Sequence, residues 1–274
     1  MSKIRGLIGH AVPSVFYIGF GSFFLLLTLR RCRDLESHNN NGRQLSYTDV
    51  YTSEKAVVLF RTSWILMTCT IIGFLVEFLY SVTKGRGHYY DALAHEVMYA
   101  SYLFVAAVCY LEAKKRLLPN AFRQALSFTF LTQAIMWNEH AMMKTDMSEM
   151  RPHMLMAYVS FAAFVTFAYS AYNPKSLFAH VTGNALIILN GMWLLSAGMS
   201  KWCIGAGLCT ESVVMHHYAP MIVLEALSLA TVIITCTVCF LDMESYSHNE
   251  EEKDTTEYST LSVGTDSLEV GKAF

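Results

Sequence analysis

The side chains of this chain that can do chemistry are ionisable groups set inside or at the ends of apolar stretches. His10 opens the first stretch, Glu77 stands near the end of the second, and Asp91, His95 and Glu96 occupy the first turns of the third. Glu139 and His140 close the fourth, His153 opens the fifth, and His216 and His217 lie in the second turn of the last. If successive stretches cross a membrane in alternating directions, all of these fall at one face, the non-cytoplasmic one. Neutral imidazole and carboxylate are the ligand set for zinc and related metals, and histidine is the side chain that titrates near neutral pH. Ionised groups in hydrocarbon are costly, so they turn inward and mark ion paths, proton relays or binding sites. The candidate metal ligands are therefore His10, Glu77, His95, His140, His153 and His217, with zinc as the cofactor they would suit. Asp91 and Glu225 join them as candidate members of a polar pocket. A plain polar rim at the headgroups has the same appearance, because residues within one turn of a span's end sit where such groups are cheap.

Local spacing adds little. There is no His-Glu-x-x-His, His-x-x-x-His or Cys-x-x-Cys pair, and adjacent His216 and His217 point about 100° apart on a helix. Asp91 and His95 share a helix face at i,i+4, which suits either a tautomer-fixing pair or a simple hydrogen bond at the helix start. His217, Met221 and Glu225 form a second such line, and by helical rise Glu225 lies about 12 Å below His217. A carboxylate at that depth must be protonated or paired. No Gly-x-Ser-x-Gly elbow and no phosphate loop occurs, so nothing names an enzyme.

The elements that position these residues are seven apolar stretches, expected at about 10–29, 56–80, 91–112, 120–142, 152–172, 177–199 and 211–241. A hydrocarbon core about 30 Å thick takes about 20 apolar residues in a helix to cross. The composition agrees: 54% of the 274 residues are hydrophobic and 15% charged, against about one quarter charged in soluble domains. The fold class expected is an all-α membrane protein, a bundle of seven transmembrane helices over 1–241, with a disordered, Glu-, Ser- and Thr-rich cytoplasmic tail over 242–274. Pro13 is expected in the first turn of helix one, Pro119 and Pro152 just before helices four and five, and a flexible polar loop from Arg30 to Lys55. The first helix is expected to serve as its own insertion signal, since no separate cleavable one precedes it. Gly183, Ala185, Gly191, Ala197 and Gly198 suit close helix packing along helix six.

Lys and Arg number nine in loops one, three and five and seven in the N-terminus with loops two, four and six. That excess points to an N-terminus outside and a tail inside, at the plasma membrane or post-Golgi and endosomal membranes. A net charge of −2 offers nothing to nucleic acid, and the lipid bilayer is the first partner. Cys203 and Cys209 bracket two glycines in loop six, on the oxidising side, and are expected to form a disulfide. Cys32, beside three arginines, and Cys236 and Cys239, near the end of helix seven, are placed for S-palmitoylation. In the tail, Tyr258-Ser259-Thr260-Leu261 fits the Tyr-x-x-apolar pattern read by sorting adaptors, with Tyr258 and Leu261 as the recognised residues.

Six short motifs in order carry a resemblance. Gly9-His10-Ala11-Val12-Pro13 and His95-Glu96-Val97-Met98-Tyr99, with His140, His153, Asn190-Gly191-Met192-Trp193 and His217-Tyr218, resemble the transmembrane protein 45 family, which is built on domain of unknown function 716 and includes transmembrane epididymal proteins. The resemblance implies a seven-helix membrane fold and membrane-trafficking or barrier-type associations, with no established reaction. The chain departs from the family pattern at Met142 and Gln133, where a second His and a Glu would be expected. The function expected is therefore an organising, trafficking or regulatory membrane component. The alternatives are a metal-dependent membrane hydrolase or transporter built on the His/Glu layer, and a seven-helix receptor, the latter resting on helix count.

Overall fold

The computed structural model describes residues 2–39, 53–84, 89–174 and 176–210, with 212–214, 216, 217, 225 and 230 beyond them. Six long helices fill these residues: α1 (Ser2–Asn39), α2 (Ser53–Lys84), α3 (Tyr89–Ala113), α4 (Ala121–Met142), α5 (Met147–Tyr172) and α6 (Leu177–Gly205). Most of the seventh expected span, the tail with Tyr258 and Leu261, and Cys236 and Cys239 lie outside the described residues.

Five of the helices hold segments long and apolar enough to cross a membrane: His10–Arg30, Ala56–Leu79, His95–Ala113, Glu149–Tyr172 and Leu177–Gly205. The fourth expected span, α4, is not among these segments; it carries Gln124, Ser127, Thr129, Thr132, Gln133, Asn138, Glu139 and His140 within its length. Ser127, Thr129, Gln133 and His140 are buried, while Phe128 and Ile135 are exposed. The buried face of α4 is mixed, with Phe122, Leu126, Phe130 and Trp137 set among those polar groups.

Several boundaries differ from expectation. The helix of α1 runs on to Asn39 and α2 begins at Ser53, so the expected polar loop from Arg30 to Lys55 is shorter at both ends. Arg, Leu and Glu are good helix formers, and no Gly or Pro interrupts the chain between Arg30 and Asn39. Pro13 lies well inside α1, and Pro152 lies inside α5, which starts at Met147. The segment Met-Ser-Glu-Met-Arg ahead of Pro152 supplies a full helical turn, so proline is met after the helix has begun.

Around the bundle α2 packs on α3, α3 on α4, α4 on α5, α5 on α6, and α6 on α1. The other side of α1 meets α3 and α4 through rings: Tyr17 to Tyr102 at 5.6 Å and Phe24 to Phe122 at 5.7 Å between centroids. The α1–α6 crossing is close because both helices offer glycine there. A Cβ on Gly191 would stand 2.9 Å from the Ser14 carbonyl oxygen, and one on Gly21 would stand 2.8 Å from that of Asn184. Small residues at such crossings let backbones approach and van der Waals packing hold the helices.

Buried polar groups pair across helices, as a medium without water requires. The Tyr17 hydroxyl donates to Gln133 Oε1 at 2.8 Å, Asn184 Nδ2 to Thr28 Oγ1 at 3.3 Å, and Ser127 Oγ to the Phe164 carbonyl at 3.1 Å. The buried carboxylate of Glu112 accepts from the backbone N–H groups of Asn120, at 2.9 Å, and Phe122, at 2.7 Å. It thereby caps α4 where Asn120, at φ 70°, provides no side-chain cap.

Candidate functional site

The segments that begin at His10, His95 and Glu149, and the ends of α2 and α4, meet at one end of the bundle. There Glu77, His95, His140, His153 and His10 form a continuous row across five helices. His95 Nδ1 donates to Glu77 Oε1 at 3.1 Å, and the pair is largely buried. The His95 ring lies 6.1 Å from that of His140, His140 lies 4.8 Å from His153, and His153 lies 6.2 Å from His10. Trp137, one turn before His140 on α4, packs against three of the four, at 6.3 Å from His95, 6.2 Å from His140 and 5.5 Å from His153.

The tautomer of His153 follows from its partner. Its Nδ1 is 2.6 Å from the Glu149 carbonyl oxygen, which can only accept, so Nδ1 carries the proton and Nε2 the lone pair. That Nε2 is buried and meets no hydrogen-bond partner among the described residues. The Glu149 carboxylate in turn pairs with Lys201 Nζ of α6 at 2.9 Å, tying α5 to α6 beside the cluster. Among the described residues no group of three or more His, Cys, Asp or Glu side chains already surrounds a metal position.

Five of the eight expected pocket members are thus brought together: His10, Glu77, His95, His140 and His153. His217 is exposed, as is His216, whose Nδ1 donates to the Ser212 carbonyl at 2.7 Å. The inward position of that stretch belongs to Val214, so His217 does not line the cluster as expected. Glu225 is buried, with its Oε2 unpartnered among the described residues. Asp91 lies in the first turn of α3, with its side chain outside the described residues; the same holds for Cys32 in α1. Trp137, Glu149 and Lys201 were not foreseen. The first two were legible, since Trp137 is three residues before His140 and Glu149 four before His153, each on its partner's helix face. Lys201 reads in sequence as a topology charge.

Cys203 and Cys209 carry free thiols that hydrogen-bond to each other. Gly207, at φ 73°, makes the turn that brings them close: Leu208 N–H reaches the Cys203 carbonyl at 3.0 Å and Gly207 N–H that of Ile204 at 3.0 Å. This is the Schellman end of a helix, and its left-handed residue favours glycine.

Residues 119–241 match the family of unknown function DUF716. The matched segment contains α4, α5 and α6, and with them Trp137, His140, Glu149, His153 and Lys201; His10, Glu77 and His95 lie before it. The DUF716 match agrees with the family that the sequence motifs resemble. No curated protein matches the chain.

Proposed function

We propose that this multi-pass membrane protein is an organising, trafficking or regulatory component of post-Golgi or surface membranes, in preference to a metal-dependent hydrolase or transporter. The observation that supports this reading is the close packing, among the described residues, beside the histidine row. The cavity there, lined by Met98, Gln133, Met136 and Trp137, holds about 10 Å³, which is room for about one water. Pockets that bind small molecules take about 300 Å³ or more. Sorting adaptors that read Tyr258 and Leu261 in a cytoplasmic tail are the partners this reading assigns.

Reconstituted full-length protein tests it. Proteoliposomes should pass zinc and protons no faster than empty vesicles, while cells lacking the protein should change the surface abundance of other membrane proteins. Flux above the empty-vesicle level, or an unchanged surface composition, would overturn the reading.

A further inference from the structure

We propose that His95, His140 and His153 bind a divalent transition metal of the zinc class, with Glu77 and the Glu149 carbonyl as positioning groups. His153 supplies the first reason. With Nδ1–H held by Glu149, its Nε2 presents a lone pair inside the bundle, in a residue only 4% exposed, and no described protein group meets it. A buried acceptor left unmet is destabilising, and a metal ion is a group that uses such a lone pair directly.

His95 repeats the arrangement. Its Nδ1–H is taken by Glu77, which leaves Nε2 as the remaining ring nitrogen. A carboxylate or carbonyl on the far nitrogen of each imidazole is the outer shell that metal-binding histidines carry, where it fixes the tautomer and raises basicity. His95 and His153 each have it, one of each kind.

Spacing supplies the third reason. With zinc–nitrogen bonds of 2.0–2.1 Å and tetrahedral angles, imidazole centroids around one ion stand about 5 Å apart. The His140–His153 separation of 4.8 Å meets this, and the His95–His140 separation of 6.1 Å exceeds it by about 1 Å. In the conformation described the three donors do not yet converge on one point. His95 is the ring that must close the gap, and it is the most accessible of the three, at 18% side-chain exposure against 7% and 4% for His140 and His153 as residues. Neutral imidazole donors suit zinc, copper and nickel and not calcium or magnesium. The row lies along one face of the bundle, so a proton relay within it would carry nothing across the membrane. A fixed metal has no such requirement, and a packed organising protein can hold an ion without transporting it.

The test uses full-length protein in detergent, stripped with chelator and titrated with zinc alone. About one zinc per chain should bind, and zinc should raise the melting temperature. Glu77→Gln should weaken binding by about 10- to 100-fold, the usual effect of losing an outer-shell partner. His140→Gln and His153→Gln should each weaken it at least as much and abolish the melting shift, while His216→Gln should leave both unchanged. Cobalt(II) in place of zinc should give the visible absorption of a tetrahedral site in the wild type and lose it in His153→Gln. Absence of stoichiometric zinc in the folded wild type would overturn the proposal, as would full zinc retention in the folded His140→Gln, His153→Gln double variant.

Discussion

At the scale of single residues, chemistry at this end of the bundle is set by which atom of each side chain is already engaged. Glu149 holds one nitrogen of His153, Glu77 holds one nitrogen of His95, and each ring thereby presents its other nitrogen. The same logic applies to the cysteine pair. A hydrogen bond donated by Cys209 to Cys203 pushes the Cys209 thiol up to about 11, so in the reduced protein Cys209 stays protonated at neutral pH and its thiolate forms only as pH rises toward that value. Alkylation of reduced Cys209 should therefore accelerate through the alkaline range well beyond the ordinary cysteine titration. The orientation expected from the Lys and Arg count puts loop six on the oxidising side, and on that expectation the two sulfurs should be joined in protein taken from native membranes. Non-reducing mass spectrometry should find the 203–209 cross-linked peptide, and alkylation of both thiols without prior reduction would contradict it. The histidines were legible because span register alone assigns each to one face. His217 was misplaced by the same reasoning, since register gives depth and not the direction a side chain faces.

Among the elements, α1 and α6 carry the closest contact. An alanine at Gly191 would force its methyl to 2.8 Å from Ile18, 2.9 Å from Tyr17 Cβ and 2.9 Å from the Ser14 carbonyl oxygen. Backbone cannot yield as a flexible side chain does, so Gly191→Ala should destabilise the bundle by about 1–3 kcal/mol. Gly19, on the same helix as Ser14, has nothing within 4 Å of an added Cβ. Gly19→Ala should therefore be neutral or stabilising, by up to about 1 kcal/mol from helix propensity. Thermal unfolding of the purified variants checks this, and a Gly191→Ala protein melting at or above the wild type would contradict the crossing. The small residues of α6 announced this contact in the sequence. The burial of polar side chains on α4 could not be read there, because Gln133 and Thr129 are placed inward by partners on α1 and α3. The extension of α1 to Asn39 escaped a reading based on hydropathy, which registers where a helix leaves the membrane and not where it ends.

For the whole molecule, membrane class followed from length and hydropathy alone, and six described helices with five clear spanning segments agree with it. Function was less legible, because the space left between helices and the groups that line it depend on side chains meeting from distant parts of the chain. Everything said of the site rests on α4 and α5 bringing the rings of His140 and His153 within 4.8 Å of each other. The most direct measurement is therefore proximity cross-linking of a His140→Cys, His153→Cys double variant in intact membranes, with the shortest bifunctional thiol reagent and mass spectrometry of the linked peptides. The pair should cross-link in high yield, while Met142→Cys with Tyr158→Cys, two exposed positions on the same helices, should not. No linked peptide from the 140–153 pair, with both cysteines present and the protein folded, would contradict the convergence of the histidines.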